Sequence, residues 1–373
     1  MGIGRFAYTP ILPLMTAHAG LTPHAAAHLA TANYAGYLAG ALAGTFSTRL
    51  ARSATALRIS LVVLVATVAA MPLTSNLIAW GVLRTVAGFA SALVFVIAIN
   101  SLLEHLRDHS PHLPGWGFGG VGVGIALSGA LVLSLPPSAS WRTAWWAAAG
   151  LAAVLSAAAW AMHGGSKPPS PVGATPTPKR PAARLFAALF VSYTLEGIGY
   201  IIAGTFLVAA IRENSTGWLG NGAWLLVGLA AAPSAALWAW LSKRWSHAVL
   251  LVSALLLQAV GIAMPALTHS AIAALFGAML FGATFIGVST LALAAGRLLQ
   301  FPGSVALLTA GYSAGQIAGP VLVNPLLTEG FRLALIAAAM VVVSSAGVAV
   351  LLRAGFIRAG ADRLVAANSP GRP

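Results

Sequence analysis

The sequence predicts an all-α integral membrane protein with twelve transmembrane helices in two pseudo-symmetric six-helix bundles. Three observations carry that expectation. Of 373 residues, 59% are hydrophobic and 7% charged, with a mean hydropathy of +0.88. A soluble domain carries roughly a quarter charged residues, so lipid must be the main solvent. The apolar residues gather into runs close to the roughly 20 residues that cross a bilayer. The runs also divide six and six about a proline-rich segment. They are too long for barrel strands, and the edges of an open sheet cannot face lipid, so each run is read as a helix.

The first six runs lie near 1–16, 28–47, 58–75, 77–103, 114–135 and 143–163. The second six lie near 184–210, 218–241, 248–267, 271–296, 303–325 and 332–353. The expected organisation is therefore an N-terminal bundle over 1–163, a linker over 164–183, a C-terminal bundle over 184–353 and a tail over 354–373. The linker, "GGSKPPSPVGATPTPKRPAA", lacks the large apolar residues needed to bury a core. The halves also echo each other. "GIGRFAYTPIL" from Gly2 matches "GIGYIIAGTFL" from Gly197, "RTVAGFA" from Arg84 sits where "AMLFGAT" from Ala278 does, and "PG" opens both the fifth and eleventh runs.

The first run opens with "GIGRFAYTPILP", which holds Arg5 and two prolines. No small-residue cleavage pattern follows, and Pro10 and Pro13 break the apolar stretch, so it is not read as a signal peptide. Gly197 falls about a dozen residues into the seventh run, and by the repeat Gly2 should fall as deep. The first helix is thus expected to be N-terminally shortened.

Orientation follows from loop charge. With a cytoplasmic N-terminus, fifteen of the twenty Lys and Arg residues collect on one side and three, Arg142, Arg212 and Arg332, on the other. Both termini and the linker are therefore expected in the cytoplasm, in a bacterial inner membrane. Most tryptophans lie near run ends, as an interfacial belt requires. The net charge of +14 belongs to these loops rather than to a soluble basic patch, so nucleic acid is not an expected partner. The sequence has no cysteine, no His-Glu-x-x-His spacing and no P-loop, so no cofactor is expected and ATP is not the energy source. A membrane enzyme would want clustered acids or histidines at one interface. The six acidic residues are scattered instead.

Twelve helices with a central cytoplasmic linker resemble the major facilitator superfamily. The loop "GTFSTRLARS" (Gly44 to Ser53) resembles its G-x-x-x-D-R-x-G-R-R signature and supplies Arg49 and Arg52, but Thr48 replaces the Asp and Ala51 the Gly. "RTVAGFASA" resembles the fourth-helix R-x-x-x-G pattern. "GGVGVGIALSG" resembles the glycine-rich fifth-helix motif of antiporters without its Gly-Pro. "GIGRFAYTPILPLM", "ANYAGYLAGA" and "GYSAGQIAGPVL" are similar to the YbfB/YjiJ-type branch, a likeness covering nearly the whole chain. The resemblance implies a secondary transporter with a central cavity lined by helices 1, 4, 7 and 10.

Ionisable groups inside a bilayer are costly and mark functional sites. Three Arg or Glu residues fall in the interior of the runs rather than at their ends: Arg5, Arg84 and Glu196. Their depths suit one central cavity, with Glu196 able to neutralise one arginine and to carry a proton, and a substrate carboxylate facing the other. The alternatives are a structural ion pair and an arginine bonded to backbone carbonyls. Polar residues repeat on single helix faces: Tyr193, Glu196 and Tyr200; Arg5, Tyr8 and Thr9; Asn33 and Tyr37; Tyr312 and Gln316. They read as cavity lining or as interhelical hydrogen bonds. Glycines spaced by four at Gly36, Gly40 and Gly44, and at Gly311, Gly315 and Gly319, read as packing surfaces of helix 2 against helix 11 across the halves, with Pro320 and Pro325 kinking the eleventh. The expected function is proton-coupled secondary transport of a small organic solute, an organic anion in first place, by a monomer. An uncoupled facilitator, a drug or metabolite efflux antiporter, and a non-transporting receptor or scaffold are the rivals.

Overall fold

The structure is a computed structural model describing residues 1–105, 113–136, 138–161, 180–215, 217–268 and 270–367. Residues 164–179 of the expected linker lie outside the described residues. In the first half, α1 (Gly2–Phe6) and α2 (Tyr8–His18) form from the first run, and α3 (Pro23–Phe46) from the second. A short α4 (Thr48–Ala51) follows, then α5 (Ala54–Ala70), α6 (Leu77–His105), α7 (Leu113–Leu133) and α8 (Trp141–Ala158). The second half contributes α9 (Arg180–Asn214), α10 (Leu219–Leu241), α11 (His247–Leu267), α12 (Ala271–Leu298), α13 (Ser304–Val323) and α14 (Phe331–Ala367). Thus α9 begins four residues before the expected bundle, and α14 continues into the expected tail.

Among the described residues every predicted run forms mainly helix, and eight segments are long and apolar enough to cross a membrane: those on α5, α6 and α9 to α14. The helices on the first, second, fifth and sixth runs fall outside that set. Much of α3 is Ala, Gly and Thr, whose low hydropathy suits close packing better than lipid contact. The first run is interrupted at Ala7. Pro10 has no N–H for the Phe6 carbonyl, and its ring crowds that oxygen. Ala7 keeps αR angles and Ile11 N still reaches the Ala7 carbonyl at 3.3 Å, so the chain continues in one direction.

Surfaces are inverted relative to a soluble protein. Phe46, Leu73, Ile78 and Ile272 are exposed, whereas Arg84, Glu196 and Gln258 are buried. Ser and Thr hydroxyls cap the helix starts: Thr22 on α3, Ser53 on α5, Ser140 on α8 and Ser246 on α11 each accept a backbone N–H three residues on.

Within the first half α3 packs on α6, α5 on α6 and α8, and α1 on α7; within the second, α10 packs on α12, α11 on α12 and α14, and α9 on α13. Contacts between the halves run through α7–α10, α3–α13 and α2–α9. The glycine ladders correct the sequence reading. A Cβ at Gly36 would strike the Thr85 carbonyl and one at Gly40 the Phe89 backbone, both on α6. Cβ atoms at Gly315 and Gly319 would meet Thr194 and Ile198 on α9. Both ladders therefore bring helices of the same half together. The glycines that do join the halves lie on α7, where Gly119 and Gly122 lie against Ala232, and on α10, where Gly228 lies against Ala126. Pro320 sits inside α13, while Pro325 falls in the 3-10 turn after it (Asn324–Glu329) rather than kinking the helix.

Candidate functional site

Pro10 and the Gly2 and Gly4 contacts set the path of α1, and that path carries Arg5 to the centre of the molecule. Gly2 lies against the backbone of Gly124 on α7 and Gly4 against Leu64 on α5, approaches that a side chain would prevent. Arg5 is 6% exposed. One of its terminal nitrogens donates to Gln316 Oε1 on α13 at 2.8 Å, so the guanidinium ties the first half to the second. Its central carbon lies 4.2 Å from the Tyr37 ring centroid, 5.1 Å from Phe6 and 5.2 Å from Tyr34. These ring faces attract a cation by about 0.5–2 kcal/mol each. Arg5 Nε is buried and has no partner.

Arg84 is spent differently. Its terminal nitrogens donate to the carbonyls of Gly4 at 3.2 Å and Arg5 at 3.3 Å, and it lies 4.7 Å from the Tyr8 ring centroid. Asn33 Nδ2 donates to the Arg84 carbonyl at 2.8 Å. This is the carbonyl-bonded arginine that the sequence left open as an alternative. Arg84 holds the strand of backbone that presents Arg5. Tyr8 points its hydroxyl at the Ala26 carbonyl (3.0 Å) and so fastens α2 to α3. Two further bonds cross between the halves: Thr9 Oγ1 donates to the Gly204 carbonyl at 2.7 Å, and the Tyr34 and Thr205 hydroxyls lie 3.0 Å apart.

Glu196 corrects the expectation of an arginine partner. Its carboxyl is fully buried and meets Gln258 of α11, whose Nε2 donates to Oε1 at 3.2 Å. Glu196 Oε2 has no partner, and neither has Gln258 Oε1. The arginines have instead found carbonyl oxygens, an amide oxygen and ring faces, and the carboxyl bonds to Gln258 on α11.

An aromatic stack lies between the two. The rings of Tyr193 and Tyr312 stack at 4.5 Å, Tyr200 lies 5.9 Å from Tyr312 and 5.1 Å from Phe285, and Phe281 lies 5.9 Å from Tyr200. Tyr200 and Tyr312 are within electrostatic reach of both Arg5 and Glu196. Arg5, Tyr37, Gln316, Tyr200, Tyr312, Tyr193 and Glu196 therefore form one connected cluster, with Arg84, Asn33 and Tyr8 behind it. Arg49, in α4, is exposed and Arg52, its C-cap, is half-buried.

Sequence reasoning missed Gln258, Tyr34 and the ring pair Phe281 and Phe285. Gln258 had a usable signal, being the one side-chain amide in the ninth run. The two phenylalanines had none, because a phenylalanine in an apolar helix looks the same facing lipid or a tyrosine.

No curated protein matches the chain. The family described as "Uncharacterised MFS-type transporter YbfB" matches residues 1–351. That match takes in every residue of the cluster, both glycine ladders and α14 as far as Leu351. The chain belongs to the YbfB family of MFS-type transporters.

Proposed function

We propose that the chain is a secondary transporter that moves a small organic anion across a bacterial inner membrane by alternating access, coupled to a proton carried by Glu196. The two moving bodies in this reading are 1–163 and 184–353, joined by a cytoplasmic linker. Corresponding pairings support that division: α3–α6 with α10–α12, α5–α8 with α11–α14, and α1–α7 with α9–α13. The excess of Lys and Arg on one side supports cytoplasmic termini.

The single observation that carries the substrate class is the state of Arg5. A cation taken out of water is costly unless paired. Arg5 has one amide oxygen, the Tyr37 side chain, two further ring faces and an unpartnered Nε, while Glu196 is bonded to Gln258. A carboxylate offers two acceptor oxygens in the plane a guanidinium fork matches. The adjoining rings of Tyr37, Tyr200 and Tyr312 favour an aromatic or amphipathic anion. Arg5, Glu196 and Gln316 are buried in this conformation, so a ligand reaches them only when contacts between the halves open. The bonds from Arg5 to Gln316, Thr9 to Gly204 and Tyr34 to Thr205 are those that opening would break.

The test is thermal stabilisation of the purified chain by benzoate, phenylacetate and short aliphatic carboxylates, against tetraphenylphosphonium and ethidium as cations. Stabilisation grows with ligand concentration as binding to the folded state requires. Carboxylates should raise the melting temperature of the wild type and of Arg244→Lys but not of Arg5→Lys. Stabilisation by the cations alone would reject the anion assignment.

A further inference from the structure

Glu196 and Gln258 leave complementary atoms unused. The Gln258 amide donates from Nε2 to Glu196 Oε1 at 3.2 Å, while Gln258 Oε1 and Glu196 Oε2 are both buried with no hydrogen-bond partner among the described residues. Both residues are 0% exposed, so bulk water does not satisfy either atom. A carboxylate and an amide carbonyl are both acceptors only, and so they cannot bond to each other. Adding one proton to the carboxyl turns Oε2 into a donor and resolves both orphans at once.

We infer that Glu196 and Gln258 form a two-point acid–amide pair that binds one proton in the closed conformation, with Gln258 as the residue that stabilises the protonated carboxyl. The proton sits on Glu196 Oε2 and is donated to Gln258 Oε1, while Gln258 Nε2 donates back to Glu196 Oε1. The two planar groups then face edge to edge through a ring of two hydrogen bonds. On release, Glu196 becomes an anion with a single amide donor and no counter-charge. The closed packing of α9 on α11 therefore disfavours release, and the proton leaves only when the carboxyl regains contact with water. The inference deepens the coupling role proposed for Glu196 and rests on that residue being the proton carrier.

The surroundings leave the pair without competition. The ionisable groups near the carboxyl are Tyr193 and Tyr200 on its own helix and Tyr312 on α13. Among the other elements packed on α9, α10 has no ionisable residue, α11 has only His247 at its first position, and α12 only Arg297 near its end. On α14 the first such residue is Arg332, near the start, and the next is Arg353, more than five turns on; α2 carries Tyr8, bonded to Ala26, and His18 at its last residue. At 1.5 Å per residue His247 is about 16 Å along the helix from Gln258. Arg5 reaches Tyr200 and Tyr312, and among the described residues no cation bonds to the Glu196 carboxyl.

Infrared spectroscopy of the purified full-length chain tests this without any substrate. The C=O stretch of a protonated carboxyl is separate from the carboxylate bands, and the sequence has only six acidic residues in all. At neutral pH the wild type should carry one protonated-carboxyl band that disappears in Glu196→Gln. In Gln258→Leu the band should persist but move to higher wavenumber, because the carboxyl has lost its amide partner. Titrating the wild type alone, the band should vanish only in alkali, a reading that needs no variant to fold. Absence of the band from wild type at neutral pH, or an unmoved band in Gln258→Leu, overturns the pair. The proton pair stands or falls separately from transport: a chain that transports without this band keeps the transport reading and loses this one.

Discussion

Replacing Gly36 by alanine tests the close crossing of α3 over α6, on which the position of Asn33, and through it Arg84, depends. A Cβ at Gly36 would stand 2.7 Å from the Thr85 carbonyl carbon and 3.0 Å from its Cα, with the carbonyl oxygen nearer still. Ordinary carbon contacts are about 3.5–4.0 Å, so the helices must part by roughly 1 Å. Backbone cannot swing aside as a side chain can, and overpacking of this kind costs about 1–3 kcal/mol. The matched control is Gly81→Ala on the same α6, where an added Cβ meets nothing within 4 Å. Both changes gain the same helix preference, up to about 1 kcal/mol, so their difference isolates the overpacking. At about 2–4 °C per kcal/mol for a large domain, Gly36→Ala should melt on the order of 5 °C below Gly81→Ala in detergent. Gly88, which meets the Asn33 carbonyl from the other side, widens the same crossing. The double variant Gly36→Ala with Gly88→Ala should therefore lose less than the sum of the singles. Equal melting of Gly36→Ala and Gly81→Ala would refute the crossing and the support it gives Arg84.

Two other substitutions probe contacts near the cluster. Arg84→Lys keeps the charge but cannot bridge the Gly4 and Arg5 carbonyls with a planar fork; losing one charged hydrogen bond should lower stability by about 1.5–3 kcal/mol, and carboxylate stabilisation should weaken with it because Arg5 is no longer held. Stability unchanged on chemical denaturation would remove Arg84 from that positioning role. Ser128→Ala removes the acceptor of Trp224 Nε1 (3.2 Å) at the contact of α7 with α10; leaving that buried indole unpaired should cost about 1–3 kcal/mol, and pairing the change with Trp224→Phe should recover part of the loss in a double-mutant cycle.

The helices were legible because lipid leaves so few options. Run length, apolarity and the need to satisfy every backbone group fix α5, α6 and α9 to α14 almost without reference to tertiary structure. The burial of Arg5, Arg84 and Glu196 was legible too, since a charged group in an apolar run has to face the interior. The partners were not. A ladder such as Gly36, Gly40 and Gly44 announces a close approach but not which helix approaches, and α6 rather than α13 fills it. Charge alone suggested that Glu196 would meet an arginine. Three-dimensional placement gave it Gln258 on α11 and gave Arg84 the Gly4 and Arg5 carbonyl oxygens, pairings between separate helices that residue type and spacing do not specify.

The central claim, anion movement tied to a proton at Glu196 through Arg5, is tested most directly in proteoliposomes containing a pH-sensitive dye. Carboxylates such as benzoate are added outside, and the leak in protein-free liposomes is subtracted. The account predicts proton movement driven by at least one carboxylate in wild type, abolished in Arg5→Ala and in Glu196→Gln, with Glu196→Gln still exchanging labelled carboxylate across the membrane. Carboxylate-driven proton movement that survives intact in Glu196→Gln, or a wild type that responds to lipophilic cations and to no carboxylate, would contradict it.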